Sequence, residues 1–75
     1  MRVWIAGVSH RHGVDLFVAA TEDGLYAKLA GYARDWWHEA GLPEEDKDGE
    51  DRAVVEGYFG NMMSESLVGP TEEEV

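Results

Sequence analysis

Two short runs open the chain, Arg2-Val3-Trp4-Ile5-Ala6-Gly7-Val8 and Val14-Asp15-Leu16-Phe17-Val18-Ala19-Ala20, both rich in β-branched and aromatic residues and separated by a polar stretch ending in Gly13. Such runs, bounded by turn residues, predict a β-hairpin. Side chains alternate between strand faces, so Val3 and Ile5 share one face of the first strand, and Val14, Leu16 and Val18 one face of the second. These aliphatic sets are the expected core side. The opposite face carries Arg2, Trp4, Ala6 and Val8, then Asp15, Phe17 and Ala19, which is too apolar for a wholly solvated surface. Trp4 and Phe17 fall near one another there. Either a second helix covers them or they stand exposed as an aromatic anchor, the residue type enriched at interface hot spots.

Thr21 followed by Glu22-Asp23 has the form of a helix N-cap with acids in the first turn, where they meet the positive end of the helix dipole. Leu25, Leu29, Tyr32, Ala33, Trp36 and Ala40 then recur at steps of three and four, one apolar stripe that faces the hairpin. In this reading Trp36 fills the core while Trp37 packs on Leu42, and Gly41 with Pro43 stops the helix. A second helix is expected over Ala53, Val54, Val55, Tyr58, Phe59, Met62 and Met63, weakened by Gly57 and Gly60 at about 1 kcal/mol each relative to Ala. The pattern as a whole predicts an α+β two-layer fold, β-β-α-α, with the hairpin packed on two helices and Ser66-Leu67-Val68 available as a short third edge strand. One domain spans residues 1–68, and residues 69–75 read as a loose acidic tail.

Composition changes the picture in two respects. With 75 residues, 44% of them hydrophobic, a core forms, but it is a small one. No cysteine is present, which removes disulfide staples, thiolate catalysis and Cys-based metal sites. The opening apolar run is too short for a secretory signal and no stretch approaches the roughly 18 apolar residues of a membrane span, so a cytoplasmic protein is expected.

Charge is distributed unevenly. Residues 1–38 hold four acids and four bases, whereas residues 39–75 hold twelve acids and two bases, so the whole net charge of −10 lies in the second part. Nucleic acid and anionic membranes are thereby disfavoured as direct ligands, and a basic partner is favoured. Glu44, Glu45, Asp46, Asp48, Glu50 and Asp51 form the densest acidic run, with Glu39 and Glu56 flanking it. A run of this kind commonly serves only as a solvated, solubilising segment. It also has the charge density needed to stand in for a nucleic-acid backbone, given that duplex DNA presents about one negative charge per 1.7 Å of axis.

The remaining chemistry is sparse. His10 and His12, two apart in extended backbone, point to one side and could share a metal, but no third ligand is evident, so no metal site is expected. Ser9 and His10 are strand neighbours facing opposite ways and cannot work as nucleophile and base. The nine glycines show no phosphate-loop spacing, and the acids cluster where water is plentiful rather than in a desolvated pair. Neither an enzyme nor a cofactor is expected.

The opening Val3-Trp4-Ile5-Ala6-Gly7-Val8-Ser9-His10-Arg11-His12-Gly13-Val14-Asp15, with Ala20-Thr21-Glu22 and the helix end Asp35-Trp36-Trp37, resembles small proteins of bacterial mobile elements and phages that carry a His-basic-His-Gly hairpin. In size, acidity and lack of cysteine the chain is similar to the anti-CRISPR inhibitors of type I effectors, type I-C among them. Those inhibitors share no common motif, so the resemblance transfers no functional residue. It implies a non-enzymatic inhibitor that binds the DNA-recruiting surface of a CRISPR effector in the host cytoplasm and stops target DNA from docking, as a monomer and without a cofactor. The residues expected at that contact are Glu39, Glu44, Glu45, Asp46, Asp48, Glu50, Asp51 and Glu56, with Trp4 and Phe17 as apolar anchors. The alternative from a different class is a small homo-oligomeric module that pairs through the outer hairpin face bearing Trp4 and Phe17.

Overall fold

In a computed structural model describing residues 1–75, the hairpin forms as β1 (Arg2–His10) and β2 (Gly13–Ala19), with His10 paired to Gly13 across the Arg11-His12 turn. Neither turn residue has a positive φ; Gly13, at φ +132°, takes up the reversal that a side chain would resist. Helix α1 (Glu22–Asp35) follows, capped as expected by Thr21, whose Oγ1 accepts from the Gly24 amide at 3.0 Å. Two 3-10 turns, Trp37–Ala40 and Glu44–Asp48, lead to α2 (Asp51–Asn61), and β3 (Ser66–Glu74) closes the chain. The three strands form one antiparallel sheet in the order β2-β1-β3, with helices on one side only, an α+β architecture of two layers. No helix is long and apolar enough to cross a membrane.

The sheet presents the opposite face to the helices from the one its aliphatic residues suggest. Ala6 and Val8 are buried, and Trp4, Phe17 and Ala19 are packed against the core, whereas Val14, Leu16 and Val18 are 61%, 74% and 45% exposed. The physical reason lies in the partners: Phe17 meets the Tyr32 ring edge-on at 5.9 Å, and Tyr32 in turn packs on Tyr58 and Phe59, so the aromatic face of the hairpin completes an aromatic cluster between α1 and α2. The rest of the core is small and helical, made of Leu25, Leu29, Ala30 and Ala33 from α1 with Val54, Val55 and Tyr58 from α2. At the edge of this layer Arg52 of α2 joins Glu22 of α1 at 2.6 Å and lies 4.3 Å over the Tyr26 ring.

Two further expectations are corrected. Residues 69–75 are not a loose tail, because β3 runs to Glu74 and pairs with β1 from Ser9↔Ser66 to Arg2↔Glu74. Two of its three acids are paired in place, with Arg2 bonded to Glu72 at 3.0 Å and the N-terminal ammonium to Glu74 at 3.2 Å. A bulge lets the strand follow the sheet: Gly69 and Pro70 face Ala6 where the register shifts, and a β-carbon on Gly69 (φ +92°) would stand 3.0 Å from the Ile5 carbonyl oxygen. The two tryptophans are also exchanged. The α-helical period of Leu25, Leu29 and Ala33 reaches Trp37, which is 2% exposed, while Trp36 is 47% exposed at the end of α1.

Candidate functional site

The acidic segment is held in a defined shape. Trp37, fixed in the core, donates its indole N–H to the Pro43 carbonyl at 3.0 Å and thereby sets the corner at which the Glu44–Asp48 turn begins. Arg34, in the last turn of α1, sets the other end. Its Nε donates to the Lys47 carbonyl at 2.7 Å, and its Nη2 donates to the Gly49 carbonyl at 2.9 Å and contacts the Asp51 carboxylate at 3.1 Å. A planar guanidinium satisfies three acceptors in fixed directions, which a lysine cannot do. Within the turn the Asp46 amide donates to Pro43 and the Gly49 amide to Asp46.

Ion pairs divide the acids into two sets. Glu44 is engaged by Lys47 at 2.7 Å and Asp51 by Arg34, while Glu45, Asp46, Asp48, Glu50 and Glu56 have no cationic group within 4.0 Å. All five are exposed to solvent except where their backbones are bonded. Glu45, Asp46 and Asp48 lie on the turn, Glu50 just after it and Glu56 within α2. Glu39 is placed elsewhere, beside His38 at 3.6 Å and on the rim of a separate cleft. Trp4 and Phe17 are half-buried on the helix-covered side of the sheet, which removes them as exposed anchors and rules out the outer face of the hairpin as their location.

That cleft, about 270 Å³, opens between the hairpin tip and the helices and is lined by His10, Asp15, Tyr32, Trp36, Glu39 and Glu65 among others. The His12 amide donates to Nδ1 of His10 at 3.1 Å, so that nitrogen must carry a lone pair, and Nε2–H is left to donate to Asp15 Oδ2 at 3.1 Å. The hairpin tip is thus tied through its own imidazole to the His12 amide and the Asp15 carboxylate. Deeper in, one carboxylate oxygen of Glu65 accepts both the Tyr32 hydroxyl at 2.9 Å and the Tyr58 hydroxyl at 2.8 Å. Burial, followed by the hydrogen bond and negative charge of Glu65, pushes the Tyr32 phenol up to about 12. The same causes raise Tyr58 further. No three His, Asp or Glu side chains converge in a metal-ligating arrangement.

Arg34 and Glu65 were not marked by the sequence. Arg34 is one of several helix-surface cations and its acceptors lie 13 and 15 residues away; Glu65 is a single acid in a run of Met and Ser, and its phenol partners are 7 and 33 residues distant. Comparison with protein-family models, with curated proteins and with solved structures returns no match.

Proposed function

We propose that this chain is a non-enzymatic binding protein that occupies a cationic, nucleic-acid-binding surface of a partner protein, using the carboxylates of Glu45, Asp46, Asp48, Glu50 and Glu56. The observation that carries the reading is that these five acids lack any internal cation while the turn that bears Glu45, Asp46 and Asp48 is pinned by Arg34 and Trp37. A merely solubilising segment has no need of such a clamp. The spacing is also suitable. Five residues at the roughly 2.0 Å rise of a 3-10 turn span about 10 Å, and four acids less one lysine leave about one net charge per 3.3 Å, close to the ~3.4 Å per phosphate along one DNA strand.

The resemblance to anti-CRISPR inhibitors names the first partner to try, the DNA-recruiting surface of a type I-C effector in the bacterial cytoplasm. Binding there is stoichiometric and needs no cofactor. The test is a variant carrying Glu45→Lys, Asp46→Lys and Asp48→Lys, positions that are exposed and outside every ion pair, so the fold does not depend on them. Loss of effector binding with an unchanged circular dichroism spectrum and melting temperature is expected. Binding equal to that of the unaltered chain would overturn the reading.

A further inference from the structure

The side of the sheet turned away from the helices is uncovered and almost uncharged. Strand pairing sets Ile5 beside Val18, Gly7 between Leu16 and Val68, and Ser9 beside Val14, so one apolar surface crosses all three strands. Leu16 and Val68, at its centre, are 74% and 65% exposed. Its only ionised side chain is Glu73, paired opposite Val3 at the far end. A contiguous apolar patch of this kind on a soluble chain marks a contact surface.

We infer that the occupant is a second copy of this chain, packed open sheet against open sheet about a two-fold axis to give four layers, helix, sheet, sheet, helix. Shape is the first argument. The absence of a side chain at Gly7 leaves a shallow hollow of about 260 Å³, lined by Ile5, Val14, Leu16 and Val68, with Leu16 projecting at its rim. A knob beside a hole is self-complementary, as a two-fold interface requires, because each Leu16 enters the hollow of the other copy. Charge is the second. Two chains of net charge −10 repel wherever their acids meet, and this face is where they meet least. The cationic partner of the acidic unit would gain nothing from an uncharged surface on the opposite layer. Size is the third: β1 and β3 of nine residues and β2 of seven, about 4.8 Å apart and rising about 3.3 Å per residue, make a face about 14 Å wide and about 23–30 Å long, which with side-chain relief approaches the low end of specific interfaces at about 600 Å² a side. The dimer is therefore a weak one, with dissociation in the micromolar range or above.

Sedimentation velocity of the full chain, from low micromolar to submillimolar concentration, tests this. The mass is expected to rise from 8.4 kDa towards twice that value, and to rise at lower protein concentration when salt is added, since screening relieves the repulsion between copies. Leu16→Lys and Val68→Lys, at positions too exposed for the fold to need them, should each hold the chain at 8.4 kDa with unchanged circular dichroism, while Glu56→Gln leaves association intact. A chain that stays monomeric across the whole range, as it would if a different protein covered this face, overturns the proposal. So does a dimer that both lysine variants leave in place.

Discussion

Replacing Arg34 by Ala separates the shape of the acidic unit from its charge. The guanidinium makes two charge-assisted hydrogen bonds to main-chain carbonyls, each of the class worth about 1.5–3 kcal/mol, but its side chain is 34% exposed, so the lower values apply. The pair with Asp51, 42% exposed on the acid side, adds no more than about 1 kcal/mol. Part of the gross loss is recovered when water takes over the freed carbonyls, leaving a net destabilisation of about 2 kcal/mol. For a chain of 75 residues, whose whole stability is of the order of 4–11 kcal/mol, that lowers the melting temperature by about 10 °C. Hydrogen exchange provides the local readout. The Asp46 and Gly49 amides, bonded to Pro43 and Asp46, should lose protection more than the amides of α2. Partner binding provides the decisive one. The variant is more acidic than the parent, so attraction governed by charge alone would tighten, whereas a turn that must hold its carboxylates in place predicts weaker binding. Arg34→Lys, which keeps the charge but not the fork of donors, should also bind weakly. Unchanged protection at Asp46 and Gly49 together with unchanged or tighter binding would refute the reasoning.

Two other consequences concern the core and its phenols. Trp37→Ala should remove about 3–5 kcal/mol and lower the melting temperature by about 20 °C or more, while Trp36→Ala should change stability by less than about 1 kcal/mol; thermal circular dichroism distinguishes them, and equal losses would contradict the exchange of roles between the two rings. Tyr32 titrates near 12 when folded and near 10 when unfolded, so the folded state holds that proton more tightly: its contribution to stability is complete below pH 10 and is lost as the pH rises towards 12. Glu65→Gln keeps an acceptor but removes the charge, and should move the tyrosinate absorbance of Tyr32 part of the way back towards 10, the remainder being due to burial and the retained hydrogen bond. A titration identical to that of the parent would exclude the carboxylate as a cause.

The two-layer α+β fold, the Thr21 cap, the acid-rich connection and the β3 core at Ser66-Leu67-Val68 were legible from local pattern. What failed did so where local pattern is symmetric or where the deciding partner is remote. Both faces of the hairpin are apolar, so a period of two cannot choose between Val14-Leu16-Val18 and Trp4-Phe17; the choice is made by Tyr32 and Phe59, which no strand pattern contains. Trp36 and Trp37 are both within reach of the α1 stripe, and which one enters the core depends on the helix giving way to a 3-10 turn after Asp35. Thr71 to Glu74 read as a tail because their cations, Arg2 and the chain terminus, lie about 70 residues away. Within the candidate site the acids themselves were evident, but Arg34, which gives them a fixed arrangement, was not.

Displacement of labelled duplex DNA from a purified type I-C effector is the most direct test of the account. Added protein should release the DNA at close to one chain per binding surface, less effectively as salt rises, and the variant with Lys at positions 45, 46 and 48 should release none. DNA that stays bound while the protein binds beside it, or release that the variant performs equally well, would contradict the claim that this acidic unit takes the place of a nucleic-acid backbone.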